Sequence, residues 1–232
     1  MEPFSLFFVY NSVILNNDVI KKNAMSIKDR KSRENARLRQ KILTAALRIF
    51  AEQGYGKVSM RKIAALIDYS PTTIYRFFRN KEDLLLTIAA ETYRDLSAGF
   101  EKIKAKGRDN PLGMLKSLVR EYIIFCVERP DMFRLYSDLG SFELEDGIIY
   151  ERLGGTRYKV YQSWFSCIRQ SIESGSLELK DDLRIFLYLW DAANGYIASR
   201  IHHPGIPRKP LADDSDEFLS LIFRGIETRK NS

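Results

Sequence analysis

The sequence predicts an all-α protein with a small N-terminal helical head and a larger helical body. Glycine and proline are sparse, at 13 and 7 of 232 residues, and apolar residues recur mostly at the spacing of amphipathic helices. A second indication is the stretch from Ser59 to Lys81, in which a tight turn separates two short helical patterns. At 45% hydrophobic residues the chain is able to bury a sizeable core, in one large domain or two small ones.

Residues 1–33 differ from the rest and are predicted to be a disordered extension that ends in a basic arm. The apolar run Phe4–Leu15 is too short to span a bilayer. Glu2 stands where a signal peptide would carry positive charge. We hypothesise that translation starts at Met25, and a weak membrane or partner anchor is the alternative.

The head is predicted to begin with a helix from Glu34 to Gln53, which Gly54 and Gly56 end. Ser59 then supplies a hydroxyl N-cap for a second helix. The apolar face of that second helix, at i, i+3, i+4 and i+7, consists of Met60, Ile63, Ala64 and Ile67.

A turn at Asp68 and Tyr69 separates the second helix from a third. Ser70 is another N-cap, and Pro71 occupies a first-turn position where proline is tolerated. The two inward-facing residues of the third helix are Ile74 and Phe78.

Four polar side chains are left to point outward from the third helix: Thr72, Thr73, Tyr75 and Arg76. Hydroxyls, a phenol and a guanidinium on a small helix suit the wall of a nucleic-acid groove. Duller alternatives stay open, since many helical proteins contain such corners. Tyr75 could simply pack its ring, and Arg76 could be merely solvated.

The division of charge favours a nucleic-acid-binding head. Residues 1–81 hold 16 Lys and Arg against 6 Asp and Glu, whereas residues 82–232 hold 21 against 24. The basic excess therefore lies wholly in the N-terminal third, as expected of a head that contacts nucleic acid. A basic but merely solvated surface is the alternative.

The body is predicted to begin with a long helix, capped by Asn80, whose apolar stripe continues to Ile103. A linker at 107–111 precedes the remaining helices. These are predicted at 111–127, from 130, at 148–174 with an interruption or kink at Gly154-Gly155, at 181–201 and at 215–228, with loops at 141–147 and 202–214.

Other classes of chemistry find little support. Cys126 and Cys167 lie on apolar helix faces and form no CxxC pair. The adjacent His202 and His203 have no partnered ligand, so they are weak evidence for a metal site. The chain has neither a Gly-rich phosphate loop nor a GxSxG motif. We therefore predict no metal, no cofactor and no enzymatic activity.

The head resembles the TetR family of bacterial one-component transcription regulators. The likeness lies in the order and spacing of Ile42-Leu43-x-Ala45-Ala46, Phe50-x3-Gly54, Ser59-x3-Ile63-Ala64 and Ser70-x3-Ile74-Tyr75-x2-Phe78-x2-Lys81-Glu82-x-Leu84. Beyond residue 90 the resemblance is one of helical architecture only.

The resemblance implies roles for individual residues. Ser59 matches a hydroxyl residue that caps the second helix and touches a phosphate, and Tyr75 matches a phosphate-binding tyrosine. Lys81 matches a lysine that binds phosphate at the start of the fourth helix. The positions facing base edges are Pro71, Thr72 and Thr73, and the candidate DNA contacts also include Ser70 and Arg76.

Three residues depart from the family pattern. Asp68 stands where glycine is usual, and aspartate tolerates a left-handed backbone better than most residues. Thr72 replaces a common glycine and adds a hydroxyl and a methyl at the groove. Phe77 stands where a His or Tyr often reaches phosphate, so that contact is expected to be lost.

The resemblance also implies an inducer pocket in the body. Candidate lining residues are Tyr122, Phe133, Tyr136, Trp164, Phe165, Trp190 and Asn194, although ordinary core packing would account for most of the aromatic ones. By the same analogy residues 181–201 and 215–228 form a dimer interface, although burial inside one chain would give the same pattern.

We therefore predict a cytoplasmic, homodimeric TetR-type repressor that binds a palindromic operator in double-stranded DNA and is released by an unidentified small-molecule inducer. The predicted units are a helix–turn–helix domain at 34–81 and a ligand-binding and dimerisation domain at 82–232. One alternative is a DNA-binding regulator that is ligand-independent or controlled by a protein partner. The other is an enzyme or carrier with a helical body.

Overall fold

The computed structural model describes residues 4–106, 110–139 and 146–228, with side chains from residue 29 onward except those of residues 136–154 and 156. These residues contain no β-strand, only an isolated bridge between Leu177 and Glu227. The prediction of an all-α fold with a head and a body is therefore confirmed. The helices are α1 (Phe4–Gln53), α2 (Met60–Leu66), α3 (Pro71–Tyr75), α4 (Lys81–Ala105), α5 (Pro111–Val127), α6 (Pro130–Leu139), α7 (Asp146–Glu173), α8 (Asp182–His202) and α9 (Leu211–Arg224), and a 3-10 turn covers Tyr55–Lys57.

Helix α1 begins earlier than the sequence analysis expected. The predicted disordered segment 1–33 differs from the structure, in which the helix runs from Phe4. No glycine or proline interrupts the chain between Phe4 and Gln53, so nothing in this stretch breaks a helix. An ion pair of 2.9 Å between Arg30 and Glu34 spans one turn of it. The proposed translation start at Met25 stays a prediction.

The local signals in the head are confirmed. Ser59 Oγ accepts a hydrogen bond from the backbone N–H of Lys62 at 3.3 Å, and Ser70 Oγ accepts one from the N–H of Thr73 at 3.2 Å. Between them Asp68 has a φ of 61°, the left-handed conformation expected of this turn. Two capped helices are thus joined at a fixed corner.

The core of the head is shared with the body. Helices α1, α2 and α3 bury apolar side chains against one another, and the first turns of α4 close this cluster. Met132 and Leu135 of α6 belong to the same cluster, at 7% and 1% exposure. The fully buried members are Ile42, Ala46, Phe50, Ile63 and Ile74 from the head with Leu84 from α4. The domain boundary at 81–82 stays a prediction, because packing continues across it.

Helix α5 is the centre of the body. It packs against α4, α6, α7, α8 and α9, because apolar residues occupy most of its circumference. Its start is fixed by Pro111 in the first turn and by Asn110, whose side-chain oxygen accepts hydrogen bonds from the N–H groups of Leu112 and Gly113. Residues 107–109 of the predicted linker lie outside the described residues.

Two boundaries in the body differ from expectation. Helix α7 continues through Gly154-Gly155, so the predicted interruption there is wrong; the neighbouring turns supply its backbone hydrogen bonds. Helix α9 begins at Leu211 rather than 215, with Asp213 and Asp214 in its first turn where the helix dipole favours acidic residues. Residues 140–145, most of the predicted loop at 141–147, lie outside the described part of the chain.

The backbone at Asp68 generates a stability prediction. Asp68→Val should lower the free energy of unfolding by about 1–2 kcal/mol, because a β-branched residue is strained at a φ of 61°. The measurement is urea denaturation at one protein concentration. Asp68→Gly is the control and should stay within about 1 kcal/mol of the parent. Equal urea midpoints for the parent and the valine variant would contradict the strain argument.

Candidate nucleic-acid interface

Helix α3 has one face in the head core and the other in solvent. Ile74 and Phe78 are buried, at 0% and 2% exposure, and anchor the helix. Thr72, Tyr75 and Arg76 are exposed, and the Tyr75 side chain is 53% accessible. The predicted separation of inward and outward residues is therefore present in the structure.

The hydroxyls at the start of α3 are linked to one another. Ser70 Oγ lies 2.9 Å from Thr73 Oγ1 and also caps the Thr73 backbone N–H. Pro71 occupies the first turn and fixes φ there. The Thr73 hydroxyl is thus oriented by Ser70 before any partner arrives, while Thr72 has its side chain in solvent.

Lys81, predicted to contact phosphate, is held on the head itself. Its Nζ donates a hydrogen bond of 2.8 Å to the carbonyl oxygen of Tyr55 and lies 4.0 Å from the centroid of the Tyr55 ring. Partial burial lowers the pKa of Lys81 below its ordinary value. An ammonium has three N–H donors, so donors are left for a phosphate oxygen. The phosphate contact of Lys81 stays a prediction, as does that of Ser59, which lies exposed at the N-terminus of α2.

Sequence reasoning missed two residues that lie beside these candidates. Tyr69 is 42% exposed in the turn before Ser70, and the Lys41 ammonium from α1 lies 5.2 Å from its ring centroid. Lys41 Nζ also donates a hydrogen bond of 3.1 Å to the carbonyl oxygen of Ile67. An exposed aromatic residue directly before an N-cap was the only available signal. The approach of α1 to the turn is a tertiary contact that spacing does not reveal.

The aromatic candidates in the body form one packed cluster. Tyr122 stacks on Trp190 at 5.2 Å between ring centroids and meets Trp164 edge-on at 5.7 Å. Phe165 stacks at 4.7 Å on Phe186, which in turn stacks on Trp190 at 5.9 Å. The rings thus fill the space between α5, α7 and α8 by contact with one another.

Most of the remaining candidates belong to the same core. Phe133 is buried in the same hydrophobic cluster as Tyr122, and the side chain of Tyr136 lies outside the described residues. The Tyr122 hydroxyl donates to Asn194 Oδ1 at 2.9 Å, and Asn194 Nδ2 donates to the Trp190 carbonyl oxygen at 2.8 Å. Burial raises the pKa of Tyr122 well above its ordinary value, so this phenol stays a proton donor.

Trp164 leaves a polar group unsatisfied in this cluster. Its side chain is 2% exposed, and its Nε1 has no hydrogen-bond partner within the described part of the chain. A buried indole N–H usually finds an acceptor, and leaving it unpaired costs about 1–3 kcal/mol. The cluster therefore contains a buried donor for which the described residues offer no acceptor.

Two outer helices expose apolar side chains. Helix α8 buries Ile185 and Leu189 in the core and presents Leu187 and Tyr188 to solvent, at 45% and 54% exposure. On α9, Leu221 is 64% exposed. A helix with apolar residues on both sides is typical of one that packs against a second partner.

The described residues contain neither a candidate metal cluster nor a candidate membrane span. In the described ranges, no three His, Cys, Asp or Glu side chains converge in a way that could hold a metal ion. None of the helices in those ranges is both long and apolar enough to cross a membrane.

Comparison with known proteins shows which parts of the chain resemble other regulators. Residues 42–88 match the family model described as "Bacterial regulatory proteins, tetR family". The repressor KstR2 of Rhodococcus jostii is 23% identical over 197 residues, which cover 83% of this chain and 93% of that protein. The fatty acid metabolism regulator of Bacillus subtilis is 40% identical over 50 residues, which cover 22% of this chain and 26% of that protein.

Solved structures share the fold over most of the chain. The ketosteroid transcriptional regulator KstR2 of Mycobacterium tuberculosis superposes with a TM-score of 0.70 at 20% identity, covering 82% of this chain and 95% of that one. The regulator FadR of Bacillus subtilis, solved in complex with stearoyl-CoA, gives a TM-score of 0.67 at 19% identity, covering 81% and 98%. At these identities the likeness shows a common fold of head and body.

Proposed function

The chain belongs to the TetR family of bacterial regulatory proteins and is a DNA-binding transcriptional regulator, and we propose that it acts as a homodimeric repressor released from a palindromic operator by a small-molecule inducer. It works in the cytoplasm, without an enzymatic step. The observation that carries the proposal is α3, a capped helix with a buried anchor and a solvent-facing row of hydroxyls, a phenol and a guanidinium.

Contacts to the DNA divide into two kinds. Pro71, Thr72 and Thr73, at the N-terminal end of α3, face base edges and select sequence. Tyr75 and Arg76 lie on the solvent face further along and contact phosphates, which fix register without reading bases. Ser59, Ser70 and Lys81 add polar contacts at three helix N-termini, where the dipoles favour a phosphate. The excess of Lys and Arg in residues 1–81 supports this assignment.

Tyr75 generates the sharpest test of the interface. Tyr75→Phe should weaken binding to operator and to random duplex alike, by about tenfold, because one hydrogen bond to a charged phosphate oxygen is lost. The slope of affinity against salt should not change, because no charge is removed. The measurement is fluorescence anisotropy on a duplex obtained by selection from a randomised library.

Tyr158→Phe is the matched control, since Tyr158 on α7 is 57% exposed and lies in the body. It should bind both duplexes as the parent does. Unchanged affinity of the Tyr75→Phe variant at every salt concentration would refute the phosphate assignment.

The dimer forms through α8 and α9, two body helices with exposed apolar side chains. Leu187→Glu combined with Leu221→Glu should raise the dimer dissociation constant by at least about a hundredfold, because each carboxylate would be buried without a partner. Sedimentation velocity measures the change.

Leu66→Glu is the control for that experiment. Leu66 is 47% exposed, but it lies on α2 in the head, so the dimer should persist. A double variant that remains dimeric at micromolar concentration would rule out this interface.

The inducer binds in the aromatic cluster between α5, α7 and α8. Because the rings pack against one another, a ligand has to displace some of them, and the unsatisfied Trp164 Nε1 supplies a donor for its polar group. The apolar surroundings favour a large apolar ligand with a hydrogen-bond acceptor. Stearoyl-CoA, which is bound in the FadR structure, and a ketosteroid, the compound class in the name of KstR2, are the first ligands to try.

Tryptophan fluorescence tests this site directly, since both tryptophans of the chain, Trp164 and Trp190, lie in the cluster. A ligand that releases the duplex should change the emission. Trp164→Phe should bind that ligand about tenfold more weakly, because one buried hydrogen bond is lost. Trp190→Phe is the companion variant, and it retains the Nε1 donor of Trp164. Release of DNA without any change in emission would place the inducer elsewhere.

A regulator without an inducer is the second candidate, favoured by the close packing of the aromatic rings. It would show no ligand that raises the melting temperature across a panel, whereas an inducer site predicts a stabiliser.

A further inference from the structure

A cleft of about 380 Å³ lies where the head meets the body, away from the aromatic cluster. Three walls form it: α1 from the head, the middle of α4, and the corner between α5 and α6. At about 30 Å³ for each water molecule, this space could hold an organic molecule of moderate size. Neither the candidate DNA contacts nor the aromatic candidates line it.

The floor of the cleft is apolar and its rim is polar. Buried side chains with 3–7% exposure form the floor: Leu43, Ile88, Phe125 and Met132. Gln40, Thr44, Asp95 and Glu128 are exposed around the rim. An apolar floor with a few polar groups above it is the usual form of a small-molecule site.

The charges on the rim are mostly negative. Four carboxylates line the cleft, at Glu91, Asp95, Glu128 and Asp131, against the single guanidinium of Arg129. That guanidinium lies 4.1 Å from the Phe125 ring centroid and donates at 3.5 Å to the Phe125 carbonyl oxygen.

Two of these carboxylates already have partners. Arg39 pairs with Glu91 at 2.7 Å, and Arg134 pairs with Asp131 at 3.4 Å. The side-chain carboxylates of Asp95 on α4 and of Glu128, directly after α5, make no ion pair or hydrogen bond with any residue that the structure describes. Two unneutralised negative charges therefore stand on different walls above an apolar floor.

We propose that this cleft between α1, α4 and the α5–α6 corner binds an organic cation with an apolar chain. The chain lies on Leu43, Ile88 and Met132, and the ammonium groups pair with Asp95 and Glu128. Burial of the apolar chain favours binding, and the charges select the sign of the ligand.

The position of the cleft links it to the head. Leu43 and Thr44 belong to α1, whereas Phe125 and Glu128 belong to the body. A molecule that contacts both walls is sensitive to any shift of the head against the α5–α6 corner. Binding in the cleft therefore changes the affinity for DNA, and DNA changes the affinity for the cation by the same factor. This coupling rests on the proposed function, but the binding itself does not.

Three probes of equal chain length separate charge from apolar contact: 1,10-diaminodecane, 1,10-decanediol and decanedioate. Calorimetry on the full chain without DNA should give a dissociation constant for the diamine at least tenfold below that of the diol. Decanedioate should bind more weakly than the diol. Added salt should weaken binding of the diamine, because salt screens the charges on the exposed rim. Diamine binding equal to that of the diol, or none at millimolar concentration, would overturn the proposal.

The double variant Asp95→Asn, Glu128→Gln should bind the diamine at least tenfold more weakly and should bind the diol as the parent does. These exposed side chains have no partner among the described residues, so the double variant should fold as the parent does. Glu101→Gln on the outer face of α4, 67% exposed, is the control and should bind as the parent does. Unweakened diamine binding in the double variant would place the diamine elsewhere.

A final arm separates this site from the inducer site. Diamine bound in the cleft should leave the emission of Trp164 and Trp190 unchanged, because neither residue lines it. The diamine should also shift operator affinity by at least threefold, and saturating operator should shift diamine affinity by the same factor. Binding without that shift would overturn the proposed coupling to DNA, but the proposed cation site in the cleft would stand.

Discussion

The core of the head is completed by residues of the body, and most of the molecule's geometry depends on that packing. Met132 and Leu135 of α6 belong to the same apolar cluster as Ile74 of α3 and Phe78, which follows α3. Cores of this kind are close-packed, so a displacement of α6 is passed to the head rather than absorbed. The direction in which α3 presents Tyr75 and Arg76 therefore depends on α2, against which α3 packs, and on the cluster that α1, α4 and α6 complete, because α3 itself has only five residues.

Helix α4 is the second connection between head and body, and it serves both cores. Its first turns place Leu84 and Leu85 in the head cluster, while Leu96 and Phe100 lie in the body cluster with Tyr122 and Trp164. A rigid helix that is buried at both ends transmits motion as a unit. Any rearrangement of the aromatic rings that moves Phe100 thus reaches the base of the head. Coupling between distant sites requires an element that both sites can bias, and α4 contacts both apolar clusters.

Features fixed by neighbouring residues could be predicted from the sequence, and features fixed by distant ones could not. The caps at Ser59 and Ser70 and the left-handed Asp68 follow from residue type at a given position. The contact of Lys81 with Tyr55 spans 26 residues and depends on how the 3-10 turn packs. The cleft escaped prediction for the same reason, since its walls come from three distant segments. Spacing located the aromatic residues of the body but could not show that their rings fill the space between α5, α7 and α8.

The two proposed ligand sites differ in the rearrangement that each requires of the protein. The aromatic cluster is packed, so a ligand there has to displace rings, and the cost of that displacement is what links occupancy to α4. The cleft is already open, so a cation there needs no rearrangement to enter and acts through its contacts with both walls. A ligand shifts an equilibrium only by its difference in affinity for the two states. The cluster obtains that difference from repacking, and the cleft obtains it from the relative position of α1 and the α5–α6 corner. Both effects therefore act at the contact between head and body, where Met132 lies both in the head core and on the floor of the cleft.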